Sequence, residues 1–509
     1  MERGIVRSGD RQISFEQLSA RAACAATGFA SAPRADGGAV AVMLRNDIPF
    51  LECMLAANLA GAYCVPINWH YTAAEARYIL EDSNATHLVV HSDLLAAIAD
   101  AVPAGVVVIR VTTPPEIRAA YRLGSAESAP SSDVPEWDEW VRQWTPWPHP
   151  PMTLGTMTYT SGTTGRPKAV KRAPVPPDQR EGYARLRAEW FGHRRGLRTA
   201  IVGPLYHSVQ STYAYSALRT GGCILLEPRF DAEQLLAIID REKITHLHLV
   251  PTMMHRLARL PEATCKRYDV SSLEFVIHGA APCPKDVKRR MIEWWGPIVH
   301  EYYGTSEAGM VCRSNSREWL EREGTVGRPW PGRTVRVYGH DGLVLPPLNE
   351  GLVYMSLGDM PDFVYHNSDG RRAEIARDGL LTNGDIGYVD EDGYLFLCDR
   401  HQDVVICGGV NIWPAEIEGV LATHPAVVDC AVFGIPHEEY GEVPAAAVQL
   451  TAHTLTSAED LAAFVGARLA GFKVPRRFDV RDSLPRDDSG KLFKRMLRQP
   501  YWDAVGRRI

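Results

Sequence analysis

Short apolar runs alternate with longer amphipathic stretches through roughly the first 300 residues of the chain. Runs such as residues 39–44 are typical of buried strands, and residues 48–60 repeat their apolar positions at helical spacing. Ser14 and Gln17 have the form of a capping box that opens a helix to about Ala26. Strands alternating with helices of this length predict a doubly wound parallel sheet. The same pattern predicts strands at residues 86–90, 199–202, 223–226, 244–250 and 274–278, and helices at residues 72–80, 209–220, 231–241, 252–260 and 284–295.

Beyond Gly324 the pattern changes to shorter strands and closely spaced turns. The dipeptides Asp341-Gly342, Asn383-Gly384 and Asp392-Gly393 favour hairpin turns, because glycine and its polar neighbour tolerate the required positive φ. This part of the chain is therefore expected to be a β-rich subdomain.

Two segments indicate how the chain is divided. Proline and tryptophan concentrate in residues 129–151, which predicts a connector, and a compact α/β tail begins near Asp403. We predict an α/β chain in which residues 1–401 form a large domain of doubly wound sheets plus the β-rich subdomain. Residues 402–509 form a small, mobile α+β domain.

The length and composition of the chain exclude several classes of protein. A chain of 509 residues is too long for one typical core, and 55 basic against 61 acidic residues give a net charge of -6 without a basic stripe for nucleic acid. The ten cysteines form no Cys-x-x-Cys pair, and the N-terminus lacks the apolar core of a signal peptide. No apolar run of about eighteen residues occurs, so we expect a cytoplasmic protein without a transmembrane segment. The sequence leaves open whether it forms a homo-oligomer.

Residues 159–170 contain two glycines, five hydroxyl side chains and two cations. Glycines let backbone N–H groups converge on an anion, and hydroxyls and cations add further donors, so this composition suits a phosphate-binding loop. By composition alone, this segment could equally be an ordinary surface turn. A Walker loop is excluded, because the position five residues after Gly162 is Pro167 rather than glycine.

A second segment, Tyr303-Gly304-Thr305-Ser306-Glu307, completes a pattern. Together with the 159–170 loop it resembles the adenylate-forming superfamily of acyl-CoA synthetases, luciferases and peptide-synthetase adenylation domains. The resemblance covers nearly the whole chain. It implies an ATP-dependent carboxylic acid:CoA ligase of the AMP-forming type, in which acid and ATP give acyl-adenylate and pyrophosphate. CoA then gives acyl-CoA and AMP. Residues 1–401 would bind ATP and the acid, and residues 402–509 would rotate between the two steps.

The resemblance assigns roles to single residues. Glu307 would help to hold Mg2+, Ser306 would contact the α-phosphate, and Lys491 would be the catalytic lysine that neutralises charge on the phosphoryl oxygens. Taken singly, these residues have ordinary structural interpretations, such as a helix N-terminal acid for Glu307 and solvated surface for Lys491. The remaining residues expected to bind ATP or AMP are Thr160, Ser161, Gly162, Thr163, Thr164, Gly165, Lys168, Gly279, Ala280, Ala281, Tyr303, Asp385 and Arg400.

The segment before the tail resembles the hinge about which the family's small domain rotates. Relatives commonly have lysine or aspartate at the pivot, whereas this chain has Gln402. Gly408 and Gly409 resemble the loop that lines the pantetheine tunnel, and Lys473 is the expected contact for the nucleotide of CoA.

The acid is expected to be medium- or long-chain, aromatic or alicyclic. Amino-acid-activating relatives have an aspartate just after the strand that ends near residue 206, and residues 206–210 contain none. His207 resembles the histidine that gates the acyl pocket, although a packed strand-end histidine would also fit. Gly304 stands where acetate-specific relatives carry a bulky aromatic residue. The expected acyl wall consists of Val209, Tyr213, Ala280, Gly304 and Met310.

Two alternatives share most of these motifs. Only residues 492–509 follow Lys491, which leaves no room for a carrier domain, so free CoA is the expected thiol. An enzyme that passes the acyl group to a separate carrier protein or another acceptor would carry the same motifs. A non-catalytic nucleotide-binding protein would need a damaged Lys491 or Glu307, and both are intact.

A zinc site is the competing interpretation of three histidines. His246 and His248 share one face of a predicted strand, and His255 follows in a helix. The strand is apolar and offers no cysteine or carboxylate at ligand spacing, which disfavours zinc.

Overall fold

The computed structural model of the protein describes residues 4–32, 38–124, 134–150, 155–160, 167–368, 370–400, 403–407, 410–452, 454–487, 490 and 492–505. The chain divides into two compact units. The first unit consists of Met1–Leu249, Leu260–Ile277 and Asp359–Glu374, and the second of Val250–Arg259, His278–Gly358 and Ile375–Ile509. The predicted boundary at 401/402 lies outside the described residues and stays a prediction.

Helices occur in both units. In chain order they are α1 (Phe15–Ala30), α2 (Ile48–Ala60), α3 (Ala73–Asp82), α4 (Ser92–Ile98), α5 (Pro115–Tyr121), α6 (Trp137–Arg142), α7 (Arg180–Trp190), α8 (Ser208–Arg219), α9 (Ala232–Glu242), α10 (Pro251–Ala258), α11 (Glu262–Cys265), α12 (Lys285–Trp295), α13 (Ser316–Glu321), α14 (Arg371–Glu374), α15 (Pro414–Ala422), α16 (Ala458–Gly466) and α17 (Lys494–Asp503).

Strands make up the sheets of both units. In chain order they are β1 (Ile5–Ser8), β2 (Arg11–Ser14), β3 (Ala39–Met43), β4 (Tyr63–Pro66), β5 (Ala85–His91), β6 (Val107–Val111), β7 (Met157–Thr160), β8 (Lys168–Arg172), β9 (Arg198–Ile201), β10 (Cys223–Leu226), β11 (His246–Leu249), β12 (Phe275–His278), β13 (Val299–Thr305), β14 (Gly309–Ser314), β15 (Thr325–Pro329), β16 (Val335–Tyr338), β17 (Gly351–Met355), β18 (Phe363–Tyr365), β19 (Ala376–Arg377), β20 (Leu380–Val389), β21 (Leu395–Arg400), β22 (Val405–Cys407), β23 (Val410–Ile412), β24 (Val427–His437), β25 (Gly441–Leu450) and β26 (Arg477–Val480).

The first unit contains the predicted parallel sheets. β4, β3, β5 and β6 form a parallel sheet in that order, and β11, β9, β10 and β1 are parallel neighbours in another. Helices alternate with these strands along the chain, because parallel neighbours have to be joined by crossover connections. Ser14 and Gln17 form the predicted capping box of α1, which ends at Ala30 rather than Ala26.

The second unit contains antiparallel sheet instead. β13, β14, β15, β21, β20, β17 and β16 follow one another as an antiparallel meander-like sheet, and β23, β22, β25, β24 and β26 form a five-stranded sheet. Helices α15 and α16 pack over the five-stranded sheet through Ile417, Leu421, Leu461 and Val465, all fully buried. The prediction of a mixed α/β chain with a large sheet-rich part and a smaller C-terminal part is confirmed.

Two sequence predictions are wrong. Asn383-Gly384 makes no hairpin turn but lies inside β20, where the register against β17 shifts and Gly384 has φ +81°. The pair is a bulge, and glycine there supplies the same left-handed conformation that a turn would need. Residues 137–142 of the expected connector form α6, because Trp137 and Trp140 are buried against Phe29.

Asn46 ties together the carboxyl ends of strands in the first unit. Its side-chain nitrogen donates to the carbonyl oxygens of Gly203 at 3.0 Å and Glu227 at 2.9 Å, and its side-chain oxygen accepts from the backbone N–H of Leu205 at 2.8 Å. Buried backbone groups need such partners where no strand continues. Asn46 therefore fixes the segment that leads into α8.

Glu227, the residue after β10, is a buried carboxyl at this same edge. Its exposed fraction is 8%, and its Oε2 accepts from Nε2 of Gln234 at 3.0 Å. Burial raises the pKa of Glu227 to about 7 from an ordinary value of 4.5, although Arg241 pulls it down. Between these two values the folded state keeps a proton that the unfolded chain releases. The contribution of Glu227 to stability is therefore lost as the pH rises through 7.

We expect Glu227→Gln to stabilise the protein at pH 8 by about 2 kcal/mol more than at pH 5, because the amide still accepts from Gln234 and carries no charge. Urea unfolding at the two pH values measures the difference. Glu181→Gln, at a side chain that is 89% exposed, is the matched control and should show no such dependence. A stabilisation that is equal at both pH values would rule out the buried carboxyl as its source.

Candidate active site

The two ends of the predicted phosphate loop are held side by side in the first unit. β7 and β8 pair antiparallel, with Thr160 opposite Lys168. The hydroxyl of Tyr159 donates to Oδ2 of Asp82 at 2.7 Å, and the hydroxyl of Tyr78 donates to the carbonyl oxygen of Pro167 at 3.1 Å. The two strands that flank the loop, β7 and β8, are therefore held in place. The residues expected to contact phosphate within it, Ser161, Gly162, Thr163, Thr164 and Gly165, lie outside the described residues.

His207 is the N-cap of α8, also in the first unit. Its backbone N–H donates to the carbonyl oxygen of Pro204, and its ring lies 4.3 Å from that of Tyr206. Val209 is half-buried on the first turn. Tyr213, one turn further, is fully buried and its hydroxyl lies 3.1 Å from that of Thr199. The roles of these residues around the acyl group stay predictions.

The segment Gly279-Ala280-Ala281 follows β12 in the second unit, where glycine is a steric necessity. A Cβ on Gly279 would lie 2.5 Å from the Tyr302 ring and 2.7 Å from the Tyr302 carbonyl oxygen. Ala280 has φ +68°, a left-handed conformation that costs a non-glycine residue about 1 kcal/mol. The segment therefore makes a strained turn, in which Gly279 is buried and Ala280 is exposed.

The motif 303–307 forms the end of β13 and the turn into β14, so Glu307 does not begin a helix. Glu307 is buried, with an exposed fraction of 6%, and Ser306 is half-buried. A Cβ on Gly304 would lie 2.1 Å from the carbonyl oxygen of Gly309, at a register shift between the strands. Backbone contact therefore explains Gly304 without an acyl tunnel. Its proposed part in the acyl wall, with buried Met310, stays a prediction.

The second unit brings together three predicted nucleotide-binding residues. The hydroxyl of Tyr303 donates to Oδ2 of Asp385 at 2.6 Å, across 82 residues of sequence. Asp385 on β20 is in turn the direct backbone partner of Arg400 on β21. A phenol that donates to a carboxylate orients that carboxylate, here one with an exposed fraction of only 7%.

A buried ion pair on β13, the strand that carries Tyr303, was missed by the sequence interpretation. The Lys288 ammonium on α12 lies 2.5 Å from Oε2 of Glu301 on β13, and Nε2 of His278 lies 3.8 Å from the same oxygen. Lys288 is fully buried. The available signal was its spacing, because Lys288 lies on the same helical face as the buried Met291 and Trp295.

The residues expected to serve CoA are only partly described. The Lys473 ammonium contacts both carboxylate oxygens of Glu416, at 2.8 and 2.6 Å. Its predicted contact with CoA would have to compete with this ion pair. Gln402, Gly408, Gly409 and Lys491 lie outside the described residues, and their roles stay predictions.

Two of the three histidines considered as a zinc site, His246 and His248, have hydrogen-bond partners in the protein. The His246 ring lies 2.9 Å from the carbonyl oxygen of Gly192 and 2.8 Å from the Thr245 hydroxyl, and His248 lies 3.0 Å from the side-chain amide of Gln210. Burial lowers the pKa of His248 to about 3. Within the described part of the chain, no three metal-ligating side chains cluster, and no helix is long and apolar enough to cross a bilayer.

Residues 1–358 match the model of the AMP-binding enzyme family, and residues 416–491 match that of the AMP-binding enzyme C-terminal domain. The chain belongs to the AMP-binding enzymes. The prediction of an adenylate-forming enzyme is confirmed by these two matches.

Individual relatives align with this AMP-binding enzyme along nearly its full length. It is 31% identical to a feruloyl-CoA synthase of Amycolatopsis sp, over 97% of this chain and 95% of that protein. It is also 31% identical to the fatty acid–[acyl-carrier-protein] ligase ScoC of Streptomyces coeruleorubidus, over 98% and 93%. The solved structure of the amide bond synthetase McbA from Marinactinospora thermotolerans superposes with a TM-score of 0.83 at 26% identity, over 98% of this chain and 97% of that one.

Neighbouring substitutions at 279 and 280 should have opposite effects. Gly279→Ala forces a methyl group into the Tyr302 backbone, so we expect a loss of about 1–3 kcal/mol in stability and weaker AMP binding. Ala280→Gly removes a left-handed alanine, so we expect unchanged or slightly higher stability. Thermal unfolding and AMP calorimetry of both variants provide the measurement. A Gly279→Ala protein that melts and binds like wild type would contradict the steric argument.

Proposed function

We propose that this enzyme activates a carboxylic acid with ATP as an acyl-adenylate and transfers the acyl group to CoA. One observation carries the proposal, in a chain of the AMP-binding enzyme family: the side chain of Tyr303 on β13 donates to that of Asp385 on β20, which pairs with the backbone of Arg400 on the adjacent β21. Glu307 lies in the turn that follows β13. These are the residues to which the family resemblance assigns nucleotide and magnesium binding.

The first step must overcome repulsion between two anions. The substrate carboxylate attacks the α-phosphorus, and pyrophosphate leaves with the electron pair of the broken P–O bond. Charge develops on the phosphoryl oxygens, where the ammonium of Lys491 is proposed to neutralise it. The nucleophile belongs to the substrate, so the protein needs no nucleophilic side chain of its own.

Magnesium fits the donor chemistry of the proposed nucleotide site. Glu307 offers a carboxylate that is almost fully buried at a hairpin turn, and oxygen donors of this kind suit Mg2+ when phosphate oxygens complete the shell. When bound, the ion supplies positive charge to the phosphates. Asp385, oriented by Tyr303, is proposed to accept hydrogen bonds from the ribose hydroxyls.

The acid is proposed to be aromatic or alicyclic, or a medium- or long-chain fatty acid. The segment from β9 into α8, residues 202–210, contains no carboxylate that could pair with a substrate ammonium group. Similarity to a feruloyl-CoA synthase supports an aromatic acid first. Val209 is half-buried, and the ring of the buried Tyr206 lies 4.3 Å from that of His207.

The relatives named above differ in the group that receives the acyl chain. Their names specify CoA, an acyl carrier protein and an amide bond. All three acceptors attack the same adenylate carbonyl. A carrier protein or an amine is therefore the second candidate acceptor, and CoA is the one proposed here.

We expect Lys491→Ala to lower acid-dependent pyrophosphate release at least 100-fold, because one well-aimed cation at the phosphoryl oxygens contributes about that factor. ATP binding, measured by calorimetry, should change little. Lys266→Ala, at an exposed lysine paired with Glu262, is the matched control and should retain full activity. Unchanged adenylation by the Lys491 variant would refute its catalytic role.

A substrate panel tests the acid and the acceptor together. Hydroxycinnamic, benzoic, alicyclic and C8–C16 fatty acids are each offered with ATP and with CoA, a simple amine or no acceptor. We expect acid-dependent pyrophosphate release for the aromatic and alicyclic acids, and an acyl-CoA product by mass spectrometry. Amide formation without any thioester would instead establish the second candidate.

A further inference from the structure

In the second unit, the described residues 485–487, 490, 492 and 493 close a turn of the chain, and in the sequence they flank the proposed catalytic lysine. The backbone N–H of Phe493 donates to the carbonyl oxygen of Pro485 at 2.8 Å, and Arg486 pairs with Leu492 in an antiparallel bridge. At the tip, the N–H of Gly490 donates to the carbonyl oxygen of Asp487 at 2.8 Å. The turn is thus closed by its own backbone at both the base and the tip.

Arg486 connects the tip of this turn to the sheet beneath it. Its Nη1 donates to the carbonyl oxygen of Gly490 at 2.7 Å. Its Nε and Nη2 donate to the two carboxylate oxygens of Asp429 on β24, at 2.7 and 2.8 Å. This is a bidentate fork, the arrangement in which an arginine side chain is most rigidly held. Both side chains are about three-quarters covered, with exposed fractions of 23% and 24%.

Gly490 is also confined from outside the turn. It has φ +80°, and a Cβ at this position would lie 2.1 Å from the hydroxyl of Thr252 on α10. The Gly490 backbone therefore packs directly on α10, and Arg486 holds the carbonyl oxygen of that same residue.

The carbonyl of Gly490 and the nitrogen of Lys491 belong to one planar peptide group. Holding that oxygen therefore restrains the peptide bond that joins Gly490 to the next residue in the sequence, Lys491. We propose that Arg486, anchored by Asp429, is a positioning residue that aims Lys491 for the adenylation step. The inference rests on the proposed function, in which Lys491 acts on the phosphoryl oxygens.

The proposal predicts different effects of losing the fork on the two half-reactions. In adenylation, a displacement of the lysine by about 1 Å is enough to cost a large factor in rate. In the second half-reaction the CoA sulfur attacks the acyl carbonyl, AMP leaves, and the thiol proton goes to solvent. Lys491 has no proposed part in this step. Loss of the Arg486 fork should therefore slow adenylation and spare thioester formation, whereas a general loss of folding would slow both.

The experiment compares Arg486→Ala, Asp429→Ala and the double variant with Arg481→Ala. Arg481 is the matched control, because its side chain is 42% exposed and its Nη2 lies 4.0 Å from Oδ2 of Asp479, beyond hydrogen-bond distance. Adenylation is measured as acid-dependent pyrophosphate release without CoA. Thioester formation is measured separately by supplying synthetic acyl-adenylate and CoA, and thermal midpoints are recorded for every variant.

We expect a 10- to 100-fold loss of adenylation in Arg486→Ala and Asp429→Ala, with thioester formation within twofold of wild type. The double variant should be no slower than Arg486→Ala, because Asp429 acts through the arginine. Equal losses in the two half-reactions, or none, would overturn the positioning role. If Arg486→Ala does not fold, Asp429→Asn, which keeps the side-chain shape, decides by the same ratio.

Failure of the proposed function gives a different result. A wild-type enzyme that releases no pyrophosphate with any acid of the panel would refute the ligase assignment. An active wild type with an equally active Arg486→Ala would refute only the role of the fork.

Discussion

The buried ion pair between Lys288 and Glu301 constrains the part of the second unit that carries the nucleotide motif. Separating such a pair would leave an uncompensated charge in the interior, at a cost of roughly 3–5 kcal/mol. Helix α12 and strand β13 therefore have to stay together. β13 is the strand that carries Tyr303 and leads into the turn of Glu307. The ion pair therefore holds in place the strand on which the proposed site is built.

Close backbone contacts add a second constraint. Gly279 packs on Tyr302, Gly304 on Gly309, and Gly490 on Thr252, each without space for a methyl group. These glycines lie in or beside the three segments that the family resemblance associates with ATP or AMP, with magnesium and with the catalytic lysine. Main-chain contact of this kind fixes position without long side chains, which suits groups that must be aimed at phosphate oxygens.

Much of the fold was accessible from the sequence. Apolar runs and helical spacing placed most helices and strands of the first unit, because burial on one or both faces sets that pattern locally. Asn383-Gly384 and the connector around Trp137 were misjudged for one reason. A glycine with positive φ occurs in turns and in bulges, and tryptophan occurs in loops and in buried helices. Only the contacts with neighbouring strands and helices decide which of these structures forms.

By itself, the sequence determined the family and the order of its motifs, because the residue pattern of a short motif such as 303–307 is specific to that family. Tertiary structure alone decided which side chains meet. The hydrogen bond from Tyr303 to Asp385, the ion pair of Lys288 with Glu301 and the fork of Arg486 on Asp429 each join distant parts of the chain. Such contacts depend on strand register and helix packing, which a local pattern does not encode.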